Sequence, residues 1–141
     1  MSQLRWLELQ NPTLPSEMGM LKFLTWLDLC ENQLASLPLE IGNLKSLTEL
    51  DLHKKQLTSL PEEIGNLTNL TDLYLGNNQL TSIPAEIGNL TNITELDLSY
   101  NQLTSLPPEI ANLQNLVRLD IRGNAIDVTS LSNLQYGMIL L

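Results

Sequence analysis

Residues 70–92 read LTDLYLGNNQLTSIPAEIGNLTN, and the chain writes this line repeatedly with small edits. Full copies start at Leu24, Leu47, Leu70, Ile93 and Leu116, each 23 residues after the last. A shorter copy of 20 residues starts at Leu4, and its Leu14-Pro15 pair arrives three residues early. A fixed period of this length predicts stacked units, each covering the apolar face of the next.

The template has a physical reading, clearest in the copy that starts at Ile93. Leu96 and Leu98 alternate with Glu95, Asp97 and Ser99. Period two predicts a short strand with one buried face. Asn101 follows, and an asparagine can turn inward to bond the free backbone groups of a bend. Leu103 and Leu106 return to the core, and the prolines at 107 and 108 end any strand. Glu109, Ile110 and Leu113 then suit one or two short helical turns on the outer side. Ala111 stands where earlier copies carry Gly42, Gly65 and Gly88. Narrow strands on one side and wider turns on the other curve the stack into an arc.

These lines resemble the leucine-rich repeat family. LxxLxLxxN appears as LTWLDLCEN at Leu24, LTDLYLGNN at Leu70, ITELDLSYN at Ile93 and LVRLDIRGN at Leu116. The second half, LPxxIxxLxx, resembles the 23-residue class carried by bacterial and plant intracellular Ras-group proteins. The resemblance implies an α/β right-handed solenoid with a parallel sheet on its concave face. It also implies a non-enzymatic module that binds another protein on that sheet. The expected organisation is a single domain: a short irregular repeat or cap over 1–23, four regular repeats over 24–115, and a last repeat with its cap over 116–141.

Composition narrows the function further. Seven basic residues against sixteen acidic ones give a net charge of −9. That opposes binding to nucleic acid or to an anionic membrane. No apolar run is long enough to span a bilayer. The opening MSQLRWLELQ lacks the basic and apolar regions of a signal peptide. Cys30 is the single cysteine, so no internal disulfide forms and a reducing, cytoplasmic setting is expected. The sequons at Asn66, Asn69, Asn89 and Asn92 are by-products of the repeated GNLTN string.

The fixed register lists the concave face column by column. Between the two strand leucines stand Glu8, Asp28, Asp51, Tyr74, Asp97 and Asp120. Two residues earlier come Trp6, Trp26, Glu49, Asp72, Glu95 and Arg118. Two residues later come Gln10, Cys30, His53, Gly76, Ser99 and Arg122, and the next column holds Asn11, Glu31, Lys54, Asn77, Tyr100 and Gly123. Neighbouring strands lie about 4.8 Å apart, so the carboxylates form a ladder of like charges. Such a ladder opposes folding, and exposed Trp and Tyr are favoured interface anchors. The sequence therefore predicts an acidic, aromatic surface for a partner protein with a basic surface. Its candidate residues are Trp6, Trp26, Asp28, Glu49, Asp51, His53, Asp72, Tyr74, Glu95, Asp97, Tyr100 and Arg118. The plain alternative is duplication: one ancestral aspartate copied into every coil, kept for solubility.

Catalysis finds little support. His53 is the one histidine and stands one coil from Cys30, but nothing in the sequence signs an oxyanion hole or a closed pocket. Asp28 and Asp51 lack the dense loop spacing of a dedicated cation site. No cofactor and no metal site is expected. Lys55 replaces the inward asparagine of the other full coils, and a lysine there is expected to swing to solvent. A second class of function is self-assembly into a homodimer or larger oligomer. Its edges are the bare first strand at Leu4, Leu7 and Leu9, and the apolar tail of Met138, Ile139, Leu140 and Leu141. A third is a sensor domain of a larger signalling protein.

Overall fold

The computed structural model describes residues 22–29, 34–131 and 139–140. Six short strands form one parallel sheet in sequence order: β1 (Trp26–Asp28), β2 (Glu49–Asp51), β3 (Asp72–Tyr74), β4 (Glu95–Asp97), β5 (Arg118–Asp120) and β6 (Ile139–Leu140). The register is that of the repeat: Leu27, Leu50, Leu73, Leu96 and Leu119 stand side by side. Strands β1 to β4 are each three residues long, with the middle leucine buried and the outer pair half-buried. Period two thus produces the one-sided strand that it predicts.

The opposite side carries 3-10 helical turns at Leu39–Asn43, Glu62–Asn66, Ala85–Asn89, Pro108–Asn112 and Val128–Leu131. Each of the first four begins after a proline in extended conformation, which fixes φ and needs no N–H donor there. Between sheet and turns lies a core of nearly identical layers. Leu50, Leu52, Leu57, Ile64, Leu67 and Leu70, for example, are all fully buried.

The glycine of IGNL sets how close the turns stack. A Cβ on Gly65 would stand 2.6 Å from the carbonyl oxygen of Glu86 in the next coil, and one on Gly88 2.7 Å from that of Glu109. Only glycine permits that approach. Ala111 breaks the column, is exposed, and marks where the close stacking stops. The backbone of the turn at Val128–Leu131 does not lie against that of the turn at Pro108–Asn112. The chain nevertheless returns to the sheet: Ile139 pairs with Leu119 and Leu140 with Asp120.

Side chains also tie each coil to the one before. Asn101 Nδ2 donates to the carbonyls of Leu75, Leu98 and Ser99, while its Oδ1 accepts the Leu80 N–H at 3.0 Å. Asn78 and Asn124 repeat the pattern one coil away on either side. Thr48, Thr71 and Thr94 hydroxyls donate to the carbonyl 23 residues earlier. Asn69, Asn92 and Asn115 donate 24 residues back.

Lys55 corrects an expectation. It is 5% exposed and stays inside rather than swinging to solvent. Its backbone N–H is satisfied by the next coil, through Asn78 Oδ1 at 3.1 Å.

Candidate functional site

The repeat register places Trp26, Asp28, Glu49, Asp51, Asp72, Tyr74, Glu95, Asp97 and Arg118 on a single sheet face, all half-buried. His53 follows β2 and Tyr100 follows β4. Trp6, Leu4, Leu7, Leu9, Cys30, Met138 and Leu141 lie outside the described residues. Ile139 and Leu140 form β6.

The two acid columns differ, and the sequence reading treated them alike. In the Asp column the carboxylates of Asp51, Asp97 and Asp120 turn back on their own chain. Asp97 Oδ1 accepts the N–H and the hydroxyl of Ser99, at 2.9 and 2.6 Å. Asp51 Oδ1 accepts the His53 N–H at 3.1 Å and also contacts His53 Nδ1. Asp120 accepts the Arg122 N–H and, at 3.0 and 2.7 Å, its guanidinium; Arg118 stands 3.6 Å away. These aspartates satisfy the amide that leaves the strand, a structural reason for the column. The pattern Asp-x-His/Ser/Arg was its sequence signal. Asp120 also departs from the expected ladder of like charges, because it is paired with Arg122. It is 2% exposed, and the hydrogen bond from the Arg122 guanidinium holds its carboxyl below the usual aspartate range.

The Glu49–Asp72–Glu95 column has no such tie to the backbone amide two residues on. Burial raises the Glu49 carboxyl above its ordinary value, with Asp72, Asp51, Asp28 and Glu95 adding repulsion. Asp72 accepts the Thr71 hydroxyl at 3.1 Å, and Glu95 accepts the Tyr74 phenol at 3.2 Å. Tyr74 replaces the column's aspartate in the middle of the face. Its phenol is pushed up by burial and by Asp72 and Glu95, so it stays a neutral donor.

The expected exposure of the aromatics needs correction. Trp26 and Tyr74 are half-buried in the sheet face, and Tyr100 alone of the described tryptophans and tyrosines is a large exposed apolar group, at 56%. Tyr100 has φ +52°, in the left-handed region shared by Lys54, Asn77 and Gly123. Its ring occupies the space a Cβ on Gly123 would take, 2.4 Å from Tyr100 Cδ1. Among the described residues no three His, Cys, Asp or Glu side chains are placed to share a metal ion. No helix there is long and apolar enough to cross a membrane.

Comparison with known proteins matches this geometry. The profile described as a leucine-rich repeat region matches residues 1–79, and a second, described as a leucine rich repeat, matches residues 68–126. The chain belongs to the leucine-rich repeat family. No curated protein matches it. Among solved structures, a leucine-rich repeat protein of Leptospira interrogans is 41% identical with a TM-score of 0.83, over 92% of this chain and 36% of the other. The plant peptide hormone receptor RGFR1, in complex with RGF2, is 31% identical with a TM-score of 0.76, over 91% of this chain and 23% of the receptor. The leucine-rich repeat ectodomain of the receptor kinase SOBIR1 from Arabidopsis thaliana is 29% identical with a TM-score of 0.68, over 82% of this chain and 68% of that one. This leucine-rich repeat chain therefore spans about a third or less of the first two similar structures and about two thirds of the third.

Proposed function

We propose that this leucine-rich repeat chain is a non-enzymatic, intracellular protein-binding module. Its concave sheet face meets a basic segment of another protein. The observation that carries the reading is the Glu49–Asp72–Glu95 column with Tyr74 beside it. Those carboxylates stand in register on adjacent strands, and the Arg118–Arg122 pair that neutralises Asp120 lies beyond them. A cationic partner relieves the repulsion that burial and neighbouring acids impose on Glu49. Trp26 and Tyr74 supply flat apolar area for its side-chain stems. Arg118 and Arg122 make the face polar along its length and set the direction in which a partner lies. A peptide hormone receptor with this fold, solved with its ligand, supports protein recognition as the class of function. The lone cysteine supports the reducing setting.

The test uses a fluorescent peptide in which lysine alternates with valine, and its glutamate counterpart as control. The lysine peptide is expected to bind in low salt and weaken as salt rises, with the glutamate peptide silent. Asp72→Lys and Tyr74→Ala should each weaken it about tenfold or more. Binding unchanged by both substitutions overturns the reading.

Self-association is a second reading, favoured by β6, which ends the described sheet with one side unpaired. Light scattering over a wide concentration range checks it. A concentration-dependent dimer supports it, and a constant mass of 15.8 kDa rejects it.

A further inference from the structure

The turn that leaves β4 is built like the turn that leaves β5, and the second of them already holds a guanidinium. Asp97 and Asp120 each offer Oδ1 to the backbone N–H two residues on, at 2.9 Å from Ser99 and 3.2 Å from Arg122. The Arg122 side chain then closes on its carboxylate, Nε to Oδ1 at 3.0 Å and Nη2 to Oδ2 at 2.7 Å. That side chain is 48% exposed, so a guanidinium reaches this kind of carboxylate from the solvent side. One coil earlier, Ser99 stands in the place of Arg122. Its hydroxyl donates to Oδ1 at 2.6 Å, and Ser99 is itself buried. Asp97 Oδ2 accepts no hydrogen bond among the described residues and keeps contact with solvent.

The surroundings of Asp97 suit the same group. Gly76, in the preceding coil, carries no side chain, and a Cβ there would stand 2.9 Å from Ser99 Oγ and 3.2 Å from both Asp97 carboxylate oxygens. The Asp97 carboxylate therefore lies over the Gly76 backbone. Tyr74 stands in register with Asp97 on β3 and gives its phenol proton to Glu95 Oε2 at 3.2 Å. Glu95 lies two residues before Asp97 on the same side of β4, and its Oε1 accepts nothing among the described residues. Two free carboxylate oxygens and one aromatic ring thus share a patch between β3 and β4. A planar fork of five donors can take both oxygens while its face lies on the ring. An ammonium is a point charge with no face to stack.

We infer that this patch of Tyr74, Gly76, Glu95, Asp97 and Ser99 takes an arginine side chain of the partner, in preference to lysine. The inference rests on the concave-face reading and deepens it. The basic segment is anchored by a guanidinium seated on Asp97 much as Arg122 is seated on Asp120. Gly76 leaves the room into which the Asp97 carboxylate leans, and Tyr74, standing where other coils carry aspartate, supplies the stacking face.

Two peptides of equal length test it on the full chain, one alternating arginine with valine and one alternating lysine with valine. The arginine peptide is expected to bind about tenfold tighter at equal salt. In the native chain the amide signals of Gly76 and Ser99 should move further with the arginine peptide than with the lysine peptide. Asp97→Asn keeps an oxygen for the Ser99 N–H and removes the charge, and Tyr74→Leu removes the ring. Each should bring the ratio of the two dissociation constants close to one. Asp28→Asn, an equal charge change on β1, should weaken both peptides alike and keep the ratio. Equal binding of both peptides to the native chain overturns the inference and leaves the concave-face reading standing. So does a ratio that survives Asp97→Asn or Tyr74→Leu, or that falls as far in Asp28→Asn, and so do shifts that bypass Gly76 and Ser99. Binding of neither peptide removes the concave-face reading and this inference with it.

Discussion

Asn101 shows how one side chain can hold two coils. Its four hydrogen bonds reach the backbone of its own coil and of the coil before, and it is 7% exposed. Asn101→Ala leaves several buried groups unmet, so urea denaturation should show a loss of about 2–4 kcal/mol. Tyr100 is the opposite case. A left-handed backbone costs a tyrosine roughly 1–2 kcal/mol, and asparagine bears it better. Tyr100→Asn should therefore raise the denaturation midpoint and, with Tyr100 among the concave-face candidates, weaken peptide binding. A gain in stability with no loss of binding would remove Tyr100 from the surface. The inward asparagine was legible from the sequence, because a polar residue recurring among leucines needs partners. The left-handed column was hinted at only by Asn77 and Gly123, and Lys54 and Tyr100 hid it. The burial of Lys55 was not legible, because it depends on what the neighbouring coil supplies.

At the scale of strands and turns, Asp120 and Glu49 titrate in opposite senses. The Asp120 carboxyl lies below its ordinary 3.8, so its pairing with Arg122 stabilises the fold above that pH and is lost as pH falls through the depressed value. Asp120→Asn should cost stability at neutral pH, with the difference from wild type shrinking in acid. The Glu49 carboxyl lies above its ordinary 4.5, so the folded state holds its proton more tightly than the unfolded chain. Its ionisation opposes folding as pH rises past 4.5, and Glu49→Gln should stabilise at neutral pH and lose that gain in acid. Thermal unfolding across pH checks both signs. On the turn side, Gly88→Ala pushes a Cβ into Glu109 and should cost about 1–3 kcal/mol, while Ala111→Gly, at an exposed turn, should cost less than about 1 kcal/mol. Strands, turns and register were all legible, because period two and the Leu-Pro pair recur at fixed offsets. The division of labour between the acid columns was not, because it turns on whether a carboxylate reaches back to its own backbone.

For the whole molecule, the period specifies a solenoid whose outer residues vary while its layers do not. Parallel strands in sequence order bring the two strand columns of β1 to β5 side by side, so the location of that part of the candidate surface followed from register alone. The charge of that face was legible as composition. How much of it is free for a partner emerged only with the hydrogen bonds of Asp51, Asp97 and Asp120. The net charge of −9 gives the molecule a long-range pull on cations, and under the proposed function the sheet face is where that pull acts. The most direct measurement is a two-dimensional amide NMR titration of the labelled full chain with the alternating lysine peptide. The account predicts salt-sensitive shifts at Glu49, Asp72, Tyr74 and Glu95, absent in Asp72→Lys. Shifts confined to the 3-10 turns or to β6, or shifts that persist in Asp72→Lys, would contradict a concave-face recognition surface.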